Sequence, residues 1–127
     1  MNPDDVRRWE VYRANLHPVI GNEQAGKARP VMIVSNDGFN RNSGVVTVIP
    51  LTGHAGKLRL PYPYEVLLPE RVAGNPVASI AMPHQVRTIS KLRLLTRLGV
   101  LTEPLLQEEI ENRLLEHFGI DYEPELG

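Results

Sequence analysis

The residues of this 127-residue chain most able to do chemistry lie in the run Glu23-Gln24-Ala25-Gly26-Lys27-Ala28-Arg29-Pro30-Val31-Met32-Ile33-Val34-Ser35-Asn36-Asp37, where a glycine-containing loop delivers an arginine to the mouth of an apolar strand. Pro30 stands at the strand position that can spare its N–H, and the turn formers Ser35, Asn36 and Asp37 close the run. Arg29 is therefore predicted at an edge and not in a core. Its guanidinium is always charged and presents a planar fork of donors that matches phosphate oxygens. Two further segments place polar residues where apolar strands run out: Leu51-Thr52-Gly53-His54 and His84-Gln85-Val86-Arg87-Thr88. Taken alone, Thr52 and Asn36 read as turn residues, Glu23 and Gln24 as residues that hold their own loop, and Arg87 as a surface ion-pair partner of little energetic value. His54 and His84 titrate near neutrality, as an acid–base pair must, but sequence does not set the distance between them and both are peripheral to this reading.

The elements that must position these residues are short. Strands are predicted at Glu10 to Leu16, Pro30 to Ser35, Val45 to Leu51, Tyr64 to Leu68, Val77 to Met82, Gln85 to Ile89 and, briefly, Gly99 to Leu101. Short apolar runs punctuated by scattered prolines and glycines favour a small barrel over an open sheet. Asn36 to Gly44 and Thr52 to Pro63 read as two long polar loops bordering the third strand; they carry Arg41, Lys57 and Arg59, with Phe39, Tyr62 and Tyr64 nearby. Ser90 can cap a helical turn through Lys91, Leu92 and Arg93. A longer helix is predicted to begin at Thr102, to tolerate Pro104 in its first turn and to end at Gly119. Leu106, Ile110, Leu114 and Phe118 form its apolar stripe, with Glu108, Glu111 and Glu116 facing water.

Composition narrows the chemistry. The length suits one domain with a modest core, and no linker suggests a second. No apolar run is long enough for a signal peptide or a membrane span, which leads to the expectation of a soluble, cytoplasmic protein without a membrane partner. The chain has no cysteine, so disulfides, thiolate nucleophiles and cysteine-bound zinc do not arise, and its four histidines do not fall at a metal-ligand spacing. No metal or other cofactor is expected. The net charge of −1 hides an asymmetry: residues 1 to 97 carry thirteen Lys/Arg against seven Asp/Glu, while residues 98 to 127 carry one basic residue against eight acidic ones. A basic body can bind phosphates beside an acidic tail, because exposed charges more than about 10 Å apart are largely screened at 0.1 M salt.

The order and wording of the segments resemble the MazF/PemK family of toxin ribonucleases over roughly residues 9 to 102. The resemblance rests on Pro18-x-x-Gly21-x-Glu23-Gln24-Ala25-Gly26, Arg29-Pro30-Val31, Ser35-Asn36-Asp37, Pro50-Leu51-Thr52 and Gln85-Val86-Arg87-Thr88-Ile89. It implies a mainly β fold, an SH3-like small β-barrel at about 9–102 with a C-terminal helix and acidic tail at about 103–127, making one domain over 1–127. It also implies a homodimer, a cognate antitoxin peptide as partner, and metal-independent cleavage of single-stranded RNA to 2′,3′-cyclic phosphate and 5′-OH ends. Arg29 and Thr52 match the family's catalytic residues; Glu23, Gln24, Asn36, Gln85, Arg87 and Lys57 are candidates for substrate binding. This chain departs from the family in having Trp9-Glu10 where Gly-Asp/Glu is usual, His84 where an acidic residue is customary, and two residues between Gly26 and Arg29 where one is common. The alternative is a binding module on the same small barrel, as in the CcdB toxins, which grip gyrase and cut no RNA.

Overall fold

The computed structural model describes residues 5–16, 20–21, 28–53 and 59–122. Its strands are β1 (Glu10–Ala14), β2 (Arg29–Ile33), β3 (Val45–Thr52), β4 (Val66–Leu68), β5 (Ser79–Ala81), β6 (Arg87–Ser90) and β7 (Leu94–Val100), with helices α1 (Asp37–Asn42) and α2 (Pro104–His117). Every pairing is antiparallel, in the order β4-β5-β3-β2-β1-β7, with β6 also on β3. This is the mainly β fold with a C-terminal helix that the sequence predicts.

One strand joins the two halves. The first part of β3, Val45 to Val48, pairs with β6; Val48 to Pro50 pair with β2; Leu51 and Thr52 pair with β5. A strand that passes from one sheet to another turns the corner of a small barrel. Pro50 sits at that corner, where a central strand would ordinarily reject it. Its carbonyl accepts a hydrogen bond from the Met82 N–H at 3.0 Å, on the side away from β2. In a strand the N–H and C=O of one residue point the same way, so the missing donor faces the gap between β6 and β5 and leaves the β2 ladder intact.

Alternation along the strands fills two cores, one on each face. Tyr12, Ala14, Val31, Ile33, Val46 and Val48 pack with Leu16, Ile89 and Leu94 on one face. Val11, Met32, Ile49 and Leu51 pack on the other with Leu101 and Ile110. Ile110 is the fully buried residue of α2, and Leu106 and Leu114 pack beside it. Burying such a side chain contributes about 1.5–3 kcal/mol, which is what fixes α2 on the sheet. The predicted stripe ends early, however: Phe118 is 61% exposed and forms the C-cap.

Other boundaries also shift. Asn36 to Gly44 is not a loop throughout, because Asn36 Oδ1 accepts the Phe39 N–H at 2.8 Å and caps the short helix α1. The buried Asn40 amide donates to the Ser35 carbonyl at 2.9 Å, anchoring that helix from its inner side. β7 begins at Leu94, five residues before the expected start, since Arg97 reaches Glu10 of β1 at 2.6 Å. Gln85 lies in a 3₁₀ turn (Pro83–Gln85) ahead of β6. Glu103, not Thr102, precedes α2, and its carboxylate accepts the Thr102 hydroxyl at 2.8 Å.

Trp9 has φ 73°, a left-handed conformation that a side chain disfavours by about 1–2 kcal/mol. Arg8 lies 4.5 Å over its ring, and the Trp9 N–H donates to Ile33 at 2.7 Å. These contacts, with packing against the core, hold the residue there.

Candidate active site

Arg29 and Thr52 end up on the same face of the sheet, at the same end of one ladder. The printed register of β2 against β3 runs from Ile33↔Val48 to Val31↔Pro50. Arg29 and Thr52 lie two residues beyond this last pair, where each strand has moved on to a different partner. Because side chains alternate, Arg29 shares the face of Val31, and Thr52 that of Pro50. Both are half-buried at the rim, where a charged fork and a hydroxyl can face a common ligand. Arg29 is also held by β1, opposite Ala14, whereas Thr52 is held by β5, opposite Ile80. Gly53 follows Thr52 with φ 144°, a turn that releases the chain from the strand.

The same face opens into a groove of about 1010 Å³ lined by Leu16, Ile20, Pro50, Arg59, Tyr62, Tyr64, Glu65, Met82, His84, Gln85, Val86 and Arg87. Of the predicted residues, Gln85 and Arg87 line it directly. Pro50 connects it to Thr52, two positions along β3. The 3₁₀ turn explains why Gln85 reaches the groove: Met82 and Pro83 accept the N–H groups of Gln85 and Val86 at 3.0 and 3.1 Å, lifting the segment off β3 between β5 and β6. Glu23, Gln24 and Lys57 lie outside the described residues, as does His54. Asn36 does not line the groove, and its side-chain oxygen is occupied as the cap of α1.

One wall of the groove is a ladder of rings. Tyr62 and Tyr64 stack with centroids 5.5 Å apart, and Tyr64 meets His84 edge-on at 4.6 Å. Arg59 lies 4.5 Å over Tyr62 and donates both prongs of its fork to Glu65, at 2.7 and 2.8 Å. The Tyr62 N–H adds a third hydrogen bond to that carboxylate. Burial works to raise the Glu65 pKa, but these donors together hold it below the usual carboxylate range. For His84, burial is the largest influence and depresses the imidazole; Glu65 opposes this, while His117 and Arg59 add to it. Its Nδ1 is buried without a hydrogen-bond partner among the described residues.

Arg59, carried by the loop between β3 and β4, both lines the groove and braces its aromatic wall. Glu65 and His84 are the members of this wall that sequence reasoning gave no site role. An acid set between Tyr64 and Val66 in a run of strand formers was the available signal for Glu65, since such a position demands a buried partner. Among the described residues no group of three or more His, Cys, Asp or Glu is arranged to hold a metal ion, and no helix is long and apolar enough to cross a membrane.

Comparison with known proteins bears on this arrangement. Residues 7–118 match the family described as PemK-like, MazF-like toxin of type II toxin-antitoxin system. The chain is 37% identical over 99 residues to "Endoribonuclease MazF9" of Mycobacterium tuberculosis (strain ATCC 25618 / H37Rv), covering 74% of this chain and 80% of that protein. In structure it is similar to a mycobacterial endoribonuclease solved in complex with its cognate antitoxin, with TM-score 0.71 and 25% identity over 97% of this chain and 100% of the other. It also shares the fold of MazF from Deinococcus radiodurans, with TM-score 0.74 and 23% identity over 91% and 97% of the two chains.

Proposed function

Since this chain belongs to the PemK-like, MazF-like family of type II toxin-antitoxin toxins, we propose that it is an endoribonuclease cutting single-stranded RNA with Arg29 and Thr52 as its catalytic residues. The observation that supports the assignment is the register of β2 against β3, which ends at Val31↔Pro50 and leaves Arg29 and Thr52 two residues beyond it at the same end of the two strands. The reaction breaks one P–O bond and forms another: the 2′-oxygen attacks the adjacent phosphorus, its proton leaves, and the 5′-oxygen departs and is protonated. The products are a 2′,3′-cyclic phosphate and a 5′-OH, and no cofactor takes part. Arg29 stabilises charge on the phosphate oxygens; a guanidinium gives up its proton poorly, so electrostatics is its role. Thr52 donates to or accepts from the same phosphate or the 2′-OH.

Gln85 and Arg87 contact the RNA in the groove, Gln85 through a base edge or sugar and Arg87 through the backbone. Glu23, Gln24 and Lys57 complete the substrate-binding set, while Asn36 serves as the cap of α1. The protein works as a cytoplasmic homodimer restrained by a cognate antitoxin. The antitoxin complex of the mycobacterial relative supports that partner, and exposed Leu105 and Phe118 supply apolar surface for association. The gyrase-binding alternative is not favoured, because the matched relative is an endoribonuclease.

The test is cleavage of a long RNA by the purified protein in EDTA, beside Arg29→Ala, with product ends mapped. Cuts bearing cyclic phosphate that vanish in the variant support the reading. Intact RNA from a folded, antitoxin-free protein overturns it.

A further inference from the structure

The end of β3 opposite Thr52 carries a second cluster of donors, outside the groove. Where α1 leads into β3 and β6 leads into the 3₁₀ turn Lys91–Arg93, a cavity of about 390 Å³ is lined by residues that include Arg41, Ser43, Ser90 and Lys91, and none of its lining residues is acidic. Lys91 is only 5% exposed. Its ammonium donates to the carbonyl of Asn40, near the C-terminal end of α1. A helix C-terminus favours a cation, so part of the burial cost is offset there. Yet among the described residues no carboxylate pairs with Lys91 or with the exposed Arg41. A buried charge is ordinarily paired, and among the described residues this one meets a neutral carbonyl and no carboxylate.

The hydroxyls complete the pattern. Ser43 Oγ accepts the Val45 N–H at 3.2 Å, and Ser90 Oγ accepts the Leu92 N–H at 3.1 Å. With an acceptor site on each oxygen taken by the backbone, each hydroxyl keeps its own proton to donate outward. The residues that line the cavity thus carry an ammonium, a guanidinium and two hydroxyls, the donor types of a phosphate site.

We propose that this cavity binds a phosphate, and that the phosphate belongs to the RNA backbone several nucleotides from the cleaved bond. The eight residues of β3 separate its two ends by about 23 Å at ~3.3 Å per residue, so one RNA chain must be long to occupy both sites. The RNA half of the proposal rests on the endoribonuclease reading; the anion half does not.

The experiment has two arms. In the first, inorganic phosphate is titrated into the ¹⁵N-labelled intact protein: saturable shifts of the Ser43, Gly44 and Ser90 amides, lost in Arg41→Ala, are expected. Unmoved amides overturn the site. In the second, cleavage of a long RNA and of a short oligonucleotide spanning only the scissile bond is compared across salt concentrations for wild type and Arg41→Ala. Arg41→Ala, altered at an exposed residue, retains the fold. It is expected to cut the long RNA about tenfold less efficiently, with a salt slope lower by about 0.7, and to cut the oligonucleotide as well as wild type. Phosphate shifts with unchanged long-RNA kinetics would overturn the RNA half. Phosphate shifts in a wild-type protein that cuts neither RNA would retain the anion site and sink the endoribonuclease reading.

Discussion

Arg59 and Glu65 form a two-pronged ion pair in which the carboxylate side chain is 1% exposed and the guanidinium 41% exposed. The guanidinium lies over Tyr62, so the pair fixes the aromatic wall of the groove. Arg59→Ala leaves the acid buried with one backbone donor. The expected loss is about 2 kcal/mol in urea unfolding, below the ~3–5 kcal/mol of a fully enclosed pair because water screens the arginine. Glu65→Gln retains two of the acceptor contacts and is expected to lose less. Equal stability of Arg59→Ala and wild type would show that the wall stands without its brace.

Arg29→Ala and Thr52→Val each remove one group from the rim while leaving the two cores untouched. Loss of a donor that acts on the transition state typically costs about 10²–10³ in rate. RNA turnover is expected to fall at least that far in Arg29→Ala, with unfolding free energy within ~0.5 kcal/mol of wild type. The double variant should be little worse than the poorer single one, since both act on one phosphate. A melting temperature that collapses in Arg29→Ala would make that residue structural.

His84 confers acid sensitivity. Burial, the largest influence, lowers its folded pKa below the ordinary value of 6.5, so the unfolded chain takes up a proton at higher pH than the folded one. Its contribution to stability is therefore complete above about pH 6.5 and is lost as pH falls through the folded pKa. Thermal unfolding from about pH 7.5 to 5.5, above the range where Glu65 protonates, is expected to show a decline that is shallower in His84→Phe. Parallel curves would assign the acid sensitivity elsewhere.

Gly99 and Gly74 let β7 lie against the turn that ends at Gly74. A Cβ on Gly99 would come within 2.7 Å of the Ala73 carbonyl oxygen and of the Gly74 Cα, both backbone atoms. Gly99→Ala is expected to cost more than ~3 kcal/mol, in the range of severe overpacking, and to lower the urea midpoint accordingly. A tolerated alanine would mean that β7 can withdraw from the turn.

Most strands were legible because each is a short apolar run bounded by turn residues. The errors arose where a partner distant in sequence decided the outcome. Asn36 to Asn42 looks like a loop because asparagine and glycine are poor helix formers; Ser35, Asn36 and Lys91 make it a helix by satisfying its backbone and side-chain groups. The polar face of β7 concealed a strand whose length is set by Arg97 meeting the buried Glu10. Arg29 and Thr52 could be located at strand ends, but their shared face depends on register, which no local pattern encodes. The Arg59–Glu65 pair was hidden for a similar reason: both residues are in the sequence, but the fold that brings them together is not.

Arg29 rides on β2, braced by β1, while Thr52 rides on the stretch of β3 braced by β5 and β4. The space between them is consequently an aperture between two panels that meet at Pro50, its width governed by how the panels tilt and not by a hydrogen-bonded rung. Tyr62, Tyr64 and Glu65 sit just ahead of β4, on the panel that carries Thr52. A nucleobase that rests on that aromatic wall therefore bears on the panel that carries Thr52 and not on the one that carries Arg29.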